Sequence, residues 1–146
     1  MSKNLTGLEL ARACAEKMLE DDDAAKFLDM SVDVIEPGVA EVRMSVTPHM
    51  VNGYGVCHGG YIFLLADSAF AYACNGYDDM SVAAGASIDY IAPARLGEEL
   101  IAVAREAHRG RRMGVYEIEV RGPDGHLVAL FRGRSAHIGR QILDPK

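Results

Sequence analysis

The sequence predicts an α+β domain in which a curved antiparallel sheet wraps around one long central helix. Six segments alternate apolar and polar residues with a period of two, which is typical of strands with one solvated face. One segment, 59–75, is apolar on all sides apart from a single acid, Asp67, and has the length of a buried helix. The strands after this helix are separated by turns, so no parallel crossover is needed.

The composition limits the class of protein. The chain has 146 residues, 49% of them hydrophobic, and no repeat or linker, which predicts a single domain spanning 1–146. A net charge of -6 argues against nucleic acid as the main partner. The central helix is short for a membrane span and no signal peptide is visible, so we expect no membrane association. Three widely spaced cysteines indicate reduced thiols and a cytoplasmic location.

The elements follow in order along the chain. Apolar residues at helical spacing predict an N-terminal helix over 8–28, which the acidic run 21–23 interrupts and could cap. The predicted strands are 31–36, 39–47, 81–90, 98–108, 113–121 and 126–138. Their separators include Pro37-Gly38 and Asp124-Gly125, which favour turns. A single helix covers only one face of such a sheet and leaves its edges open, so we expect a homo-oligomer with edge-to-edge strand pairing.

The start of the central helix is a candidate oxyanion site. Gly59 and Gly60 leave backbone N–H groups unobstructed at the positive end of the helix dipole, where a polarised carbonyl oxygen is stabilised. The alternative is that the two glycines only allow a tight turn into the helix, and the dipeptide alone favours that interpretation.

Asp67 is a candidate base or nucleophile, because an ionised carboxylate in an apolar helix is costly unless it has a function or a partner. The alternative is a buried carboxylate that accepts hydrogen bonds. Asp67 follows Gly59 by eight residues, so the two lie about 12 Å apart along the helix. One substrate carbonyl cannot contact both within a subunit. If both residues are catalytic, the active site is shared between two subunits.

Two further groups are weaker candidates. Asn52 could steady the loop before the helix or hold a water or the substrate carbonyl, and His58 could cap or orient the helix start. Cys57-His58 lacks a second ligand pair, so no metal site is predicted. Arg109, Arg111 and Arg112 cluster in one turn and could hold the phosphates of coenzyme A, although an exposed basic hairpin is an equally good interpretation.

Several segments together resemble the hotdog-fold acyl-CoA thioesterases. They are Asn52-Gly53, Cys57-His58-Gly59-Gly60, the helical segment 63–69 and the segment 88–98. The segments 70–75, 114–119 and 128–135 are similar to the phenylacetic-acid-degradation group of that family. The resemblance extends from about residue 25 to residue 140.

The resemblance implies a fold, an assembly and a reaction. It implies the hotdog fold, dimers whose sheets join, often a dimer of dimers, and hydrolysis of an aryl- or acyl-CoA thioester to the acid and free coenzyme A. Phenylacetyl-CoA or its hydroxylated derivatives would be the substrate, and no separate cofactor would be needed. Asp67 would be the catalytic carboxylate and the amides of Gly59 and Gly60 would polarise the carbonyl. Asn52 would position the water or carbonyl, and His58 would support the loop.

Two other functions on the same fold stay open at this point. A non-catalytic acyl-CoA or acyl-carrier sensor would bind without turnover and would usually carry an effector domain. A dehydratase or hydratase would need a His–Asp pair, which His58 and Asp67 could form only across subunits. Thiol release from a panel of coenzyme A esters distinguishes all three.

Overall fold

The computed structural model describes residues 4–145, in which helices pack against one six-stranded sheet. The helices are α1 (Gly7–Glu20), α2 (Asp23–Phe27) and α3 (Gly59–Cys74), and a 3-10 turn spans Pro48–Met50. The strands are β1 (Ser31–Glu36), β2 (Val39–Ser45), β3 (Ser81–Tyr90), β4 (Glu99–Arg109), β5 (Met113–Arg121) and β6 (Leu127–His137).

The sheet has the strand order β1-β2-β4-β5-β6-β3, and every neighbouring pair is antiparallel. Consecutive strands pair through short connections in the hairpins β1–β2, β4–β5 and β5–β6. The chain leaves β2 through α3, enters the sheet again at the far edge as β3, and returns to the middle as β4. The two edge strands are therefore β1 and β3, and the predicted antiparallel sheet is confirmed.

The central helix α3 packs on the sheet through a row of apolar side chains. The buried ones include Ile62, Leu65, Ala69 and Phe70, and the Phe70 ring lies 5.6 Å from that of Tyr116. Gly133 of β6 makes this packing possible, because a Cβ there would lie 2.8 Å from the Phe70 ring. In the described part of the chain, no helix has the length and hydropathy of a membrane span.

The helix predicted over 8–28 is two helices. α1 ends at Glu20, and the side chain of Asp22 caps α2 by accepting a hydrogen bond from the N–H of Ala25 at 3.1 Å. The other carboxylate oxygen of Asp22 accepts from the Tyr72 hydroxyl at 2.8 Å. The acidic run thus caps a second short helix, as predicted, and also ties the N-terminal helices to α3.

One edge of the molecule lacks cover from its own chain. β3 is exposed along most of its length, and Val82, Tyr90 and the following Ile91 are 46%, 51% and 54% exposed. The adjacent face of α3 is only partly buried at Phe63, Leu64, Asp67, Ser68 and Ala71. An open strand edge beside a half-covered apolar helix face is a surface suited to a second protein chain.

Candidate active site

The start of α3 is held in place by the loop before it. The backbone N–H of His58 donates to the carbonyl of Met50 at 2.8 Å, and that of Cys57 donates to Ala94 at 2.8 Å. His58 occupies the position before the first helical residue, but its exposed side chain makes no capping hydrogen bond. His58 therefore supports the helix start through its backbone and leaves the imidazole free to contact a ligand.

The first two amides of α3 are open. Within residues 4–145, no backbone carbonyl accepts a hydrogen bond from the N–H of Gly59 or Gly60. A Cβ added at Gly60 would meet no atom within 4 Å, so this side of the helix start is unobstructed. These groups have the arrangement that stabilises an anionic oxygen: unpaired donors at the positive end of a helix dipole.

Gly59 lies against an aromatic side chain that the sequence did not single out. The hydroxyl of Tyr90, the last residue of β3, donates a hydrogen bond to the carbonyl of Gly59 at 2.9 Å. A Cβ at position 59 would lie 2.8 Å from the Tyr90 ring. The close approach is one reason for a glycine here, and it is separate from both the tight-turn and the oxyanion interpretations.

A largely apolar pocket of about 480 Å³ opens at the same place. Gly59 and Tyr90 line it together with Val56, Ile62, Ile91 and Pro93. A volume of this size accommodates a small acyl group or part of a longer chain. Its position beside Gly59 puts an apolar ligand next to the open amides.

Asn52 steadies the loop. Its side-chain oxygen accepts hydrogen bonds from the N–H groups of Tyr54 and Val56 at 2.9 and 3.2 Å. This is the turn-forming role that the sequence favoured. The side-chain NH₂ of Asn52 has no partner in the part of the chain that the structure describes, so it is the group able to donate to a water or carbonyl.

Asp67 lies two turns along α3, on its half-covered face. Its carboxylate accepts no hydrogen bond and forms no ion pair with any of the residues 4–145, and burial raises its pKa above the ordinary value of 3.8. The neighbouring Ser68 hydroxyl donates to the Leu64 carbonyl at 2.8 Å and is not available to Asp67. The alternative was a buried carboxylate that accepts hydrogen bonds within its own subunit. Residues 4–145 provide no such donor to Asp67, so the structure does not support this alternative. A half-buried, unpaired acid is a strong functional candidate.

Comparison with known proteins decides the family. Residues 54–129 match the family model described as the thioesterase superfamily. The chain belongs to this superfamily. It is 44% identical to the acyl-coenzyme A thioesterase PaaI of Escherichia coli, over 88% of this chain and 91% of that protein. The enzyme is a thioester hydrolase.

Solved structures of related proteins show the same fold as this thioesterase. The structure of the Escherichia coli PaaI protein from the phenylacetic acid degradation operon matches with a TM-score of 0.88, covering 90% of this chain and 95% of that one. A Streptococcus mutans protein bound to acetyl-CoA matches with a TM-score of 0.73 and 28% identity, covering 77% of this chain and 90% of that one. The predicted hotdog fold and the family resemblance are confirmed.

The thioesterase brings some of the predicted site residues together and keeps others apart. Asn52, His58, Gly59 and Gly60 meet at the start of α3. Asp67 does not join them, because eight helical residues separate it from Gly59 by about 12 Å. The sequence analysis missed Tyr90, which is the last residue of a strand with no catalytic pattern. Only its position at the strand end, close to Ala92-Pro93, marks it in the sequence.

The three arginines lie at the other end of the sheet. Arg109, the last residue of β4, stacks on the Tyr77 ring at 4.0 Å and forms an ion pair with Asp79 at 3.5 Å. Arg111 and Arg112 are exposed in the β4–β5 turn. Tyr77 follows the C-terminus of α3, so the cluster lies roughly one helix length, about 24 Å, from the Gly59 amide of its own subunit.

Proposed function

We propose that this thioesterase hydrolyses acyl-CoA thioesters with an aromatic acyl group, such as phenylacetyl-CoA or its ring-hydroxylated derivatives. The products are the free acid and coenzyme A. The substrate class is supported by the name and operon of the 44% identical Escherichia coli protein and by the acetyl-CoA bound to the Streptococcus mutans relative. The apolar pocket beside Gly59 has room for a small aryl group.

The active site is shared between two subunits in this proposal. Gly59 and Asp67 are too far apart on one helix for one carbonyl group to contact both. The half-covered face of α3 and the exposed edge strand β3 are both open to a second copy, and a copy that pairs along β3 would bring its own α3 alongside. The two helices would run antiparallel, and Asp67 of one subunit would face Gly60 of the other. A dimer of dimers is the proposed assembly.

The reaction follows from these placements. The thioester oxygen accepts hydrogen bonds from the amides of Gly59 and Gly60, and the NH₂ of Asn52 helps to hold the attacking water or the carbonyl. If Asp67 acts as a base, it takes a proton as water adds to the carbonyl carbon. The tetrahedral intermediate then expels the coenzyme A sulfur, which receives that proton. If Asp67 attacks directly, its carboxylate displaces the coenzyme A thiolate, which takes a proton from solvent, and an acyl–aspartyl anhydride forms. Water then cleaves the anhydride to the free acid and the Asp67 carboxylate.

The two routes differ in where the oxygen of water appears. In H₂¹⁸O, the nucleophile route can place ¹⁸O in the Asp67 side chain after a single turnover, because water can attack the anhydride on the aspartyl side as well. The base route leaves Asp67 unlabelled and labels only the product acid. Mass spectrometry of the peptide that contains Asp67 separates the routes.

The arginine turn and the cellular setting complete the proposal. Arg109, Arg111 and Arg112 would hold phosphates of coenzyme A that reach them from an active site shared with another subunit.

The three cysteines are free and buried, which suits the proposed cytoplasmic location.

The unpaired, half-buried carboxylate of Asp67 is the observation on which the proposal depends most. The test is thiol release from a panel of coenzyme A esters by the wild type and by Asp67→Asn. We expect turnover by the wild type, fastest on aryl esters, and almost none by the variant. Full activity of Asp67→Asn would remove Asp67 from the mechanism, and binding of the esters without turnover by the wild type would favour a sensor.

A further inference from the structure

The Tyr90 hydroxyl lies behind the amide that is proposed to bind the reacting oxygen. It donates to the Gly59 carbonyl at 2.9 Å, and the same planar peptide carries the N–H of Gly60 on its opposite side. We propose that Tyr90 is a positioning residue that orients and polarises this peptide, so that the Gly60 N–H becomes a better donor to the substrate. The inference rests on the proposed function, because it needs the start of α3 to be the oxyanion site.

The physical basis is cooperativity between hydrogen bonds in a chain. A donor at a peptide oxygen draws electron density towards that oxygen and leaves the N–H of the same peptide more positive. The chain here runs from the Tyr90 hydroxyl, through the peptide that joins Gly59 to Gly60, to the substrate oxygen. The Gly59 carbonyl is able to accept from Tyr90 as well as from the helix, because it has two lone pairs.

The sheet sets the position of the Tyr90 hydroxyl. Tyr90 pairs with Ala129 of β6, and the next residue, Ile91, donates its N–H to Val128 at 2.8 Å. The ring then reaches Gly59 so closely that no Cβ would fit between them. The contact therefore ties the helix start to the sheet, and a group placed on a rigid element defines a site better than one on a loop.

The expected effect is small and specific. An oxyanion donor is worth roughly 10²- to 10³-fold in kcat, and cooperative strengthening is about 10–30% per bond. If the free energy contributed by the donor grows by that percentage, the logarithm of the rate factor grows by the same percentage. The gain from Tyr90 is then roughly two- to eightfold in kcat. Because Tyr90→Phe keeps the ring and the pocket wall, KM for the same ester should change little.

The test compares Tyr90→Phe with Tyr72→Phe. Each variant loses a tyrosine hydroxyl that donates a hydrogen bond, but the Tyr72 hydroxyl bonds Asp22 on the side of α3 that faces the N-terminal helices. We expect Tyr90→Phe to lower kcat on phenylacetyl-CoA roughly two- to eightfold with KM little changed. Tyr72→Phe should lower the melting temperature and leave kcat unchanged.

A spectroscopic measurement reports the polarisation directly. The infrared stretch of a ¹³C-labelled thioester carbonyl is recorded with phenylacetyl-CoA bound to the slow variant Asp67→Asn, with and without Tyr90→Phe. We expect the stretch to move to higher frequency when the hydroxyl is removed, and not to move with Tyr72→Phe. An unchanged kcat and an unchanged stretch in Tyr90→Phe, with Asp67→Asn still inactive, would overturn this inference alone. Full activity of Asp67→Asn would instead overturn the proposed function.

Discussion

A methyl group at position 59 should test how closely Tyr90 packs against the start of α3. In Gly59→Ala the new Cβ would lie 2.8 Å from the Tyr90 ring, whereas ordinary contacts begin at 3.4 Å, so the ring must retreat by 3.4 − 2.8 = 0.6 Å or more. That movement breaks the 2.9 Å hydrogen bond to the Gly59 carbonyl. In Gly60→Ala the Cβ meets nothing within 4 Å and no contact is lost.

The energies predict that Gly59→Ala is less stable than Gly60→Ala. Losing the Tyr90 hydrogen bond should cost about 1 kcal/mol. Tyr90 is 51% exposed and can move outwards, so the full overpacking penalty of a closed core should not arise. Replacing glycine by alanine in a helix can return up to about 1 kcal/mol. We therefore expect Gly59→Ala to be nearly neutral or slightly destabilising and Gly60→Ala to be neutral or stabilising.

Chemical denaturation combined with a double-mutant cycle checks this reasoning. In a Tyr90→Ala background the clash is absent, so Gly59→Ala should cost about 1 kcal/mol less than it does in the wild type. Gly59→Ala alone should also lower kcat at least as much as Tyr90→Phe does. Additive free energies in the cycle, together with an unchanged kcat in Gly59→Ala, would refute the assigned contact.

The remaining predictions concern charge. Burial raises the pKa of the Asp67 carboxyl, so this group stays protonated to a higher pH in the folded protein than in the unfolded chain. The free energy of unfolding therefore falls as pH rises from 3.8 through the raised pKa. In thermal denaturation at pH 7, Asp67→Asn should therefore be at least as stable as the wild type. The same variant should lose about 10²- to 10⁴-fold in kcat. A clearly less stable variant would contradict the assignment of an unpaired carboxylate. The kcat of the wild type should fall on acidification with a limb above the ordinary aspartate pKa, and a profile without such a limb between about pH 4 and 7 would count against the base role. Replacing Arg109, Arg111 and Arg112 by glutamine should raise KM for a coenzyme A ester but not for the matching N-acetylcysteamine thioester, which lacks the phosphates; an equal change for both would exclude phosphate binding by this turn.

The strands could be predicted because their signals are local. Three of the six predicted strands, 31–36, 81–90 and 113–121, match the structure at both ends. The period-two pattern and the turn residues fix these bounds without knowledge of distant contacts. The strand predicted over 39–47 ends at Ser45, although Val46 still exchanges backbone hydrogen bonds with Gly97 and Glu98 before the 3-10 turn begins at Pro48.

The contacts of the site were less predictable, because they join residues far apart in the chain. The distance between Gly59 and Asp67 follows from helix geometry alone, so the sequence could predict that one carbonyl group does not contact both residues of one subunit. Tyr90 is 31 residues from Gly59, and nothing local marks its hydroxyl as a partner of that carbonyl. The capping by the acidic run follows from local sequence, but the hydrogen bond from Tyr72 to Asp22 does not, since it spans 50 residues.

A subunit-mixing experiment tests the shared site most directly. Asp67→Asn lacks the acid, and Gly60→Pro lacks the proposed amide donor at a helix position in the first turn, where proline is tolerated. Each variant should be nearly inactive by itself. When equal amounts are unfolded together and refolded, half of the dimers are mixed, and one of the two sites in each mixed dimer has both groups intact, so activity should return to about one quarter of the wild type. If mixed dimers form, as shown by native mass spectrometry, and the mixture stays inactive, the acid and the amide do not meet across subunits and the proposed active site is wrong.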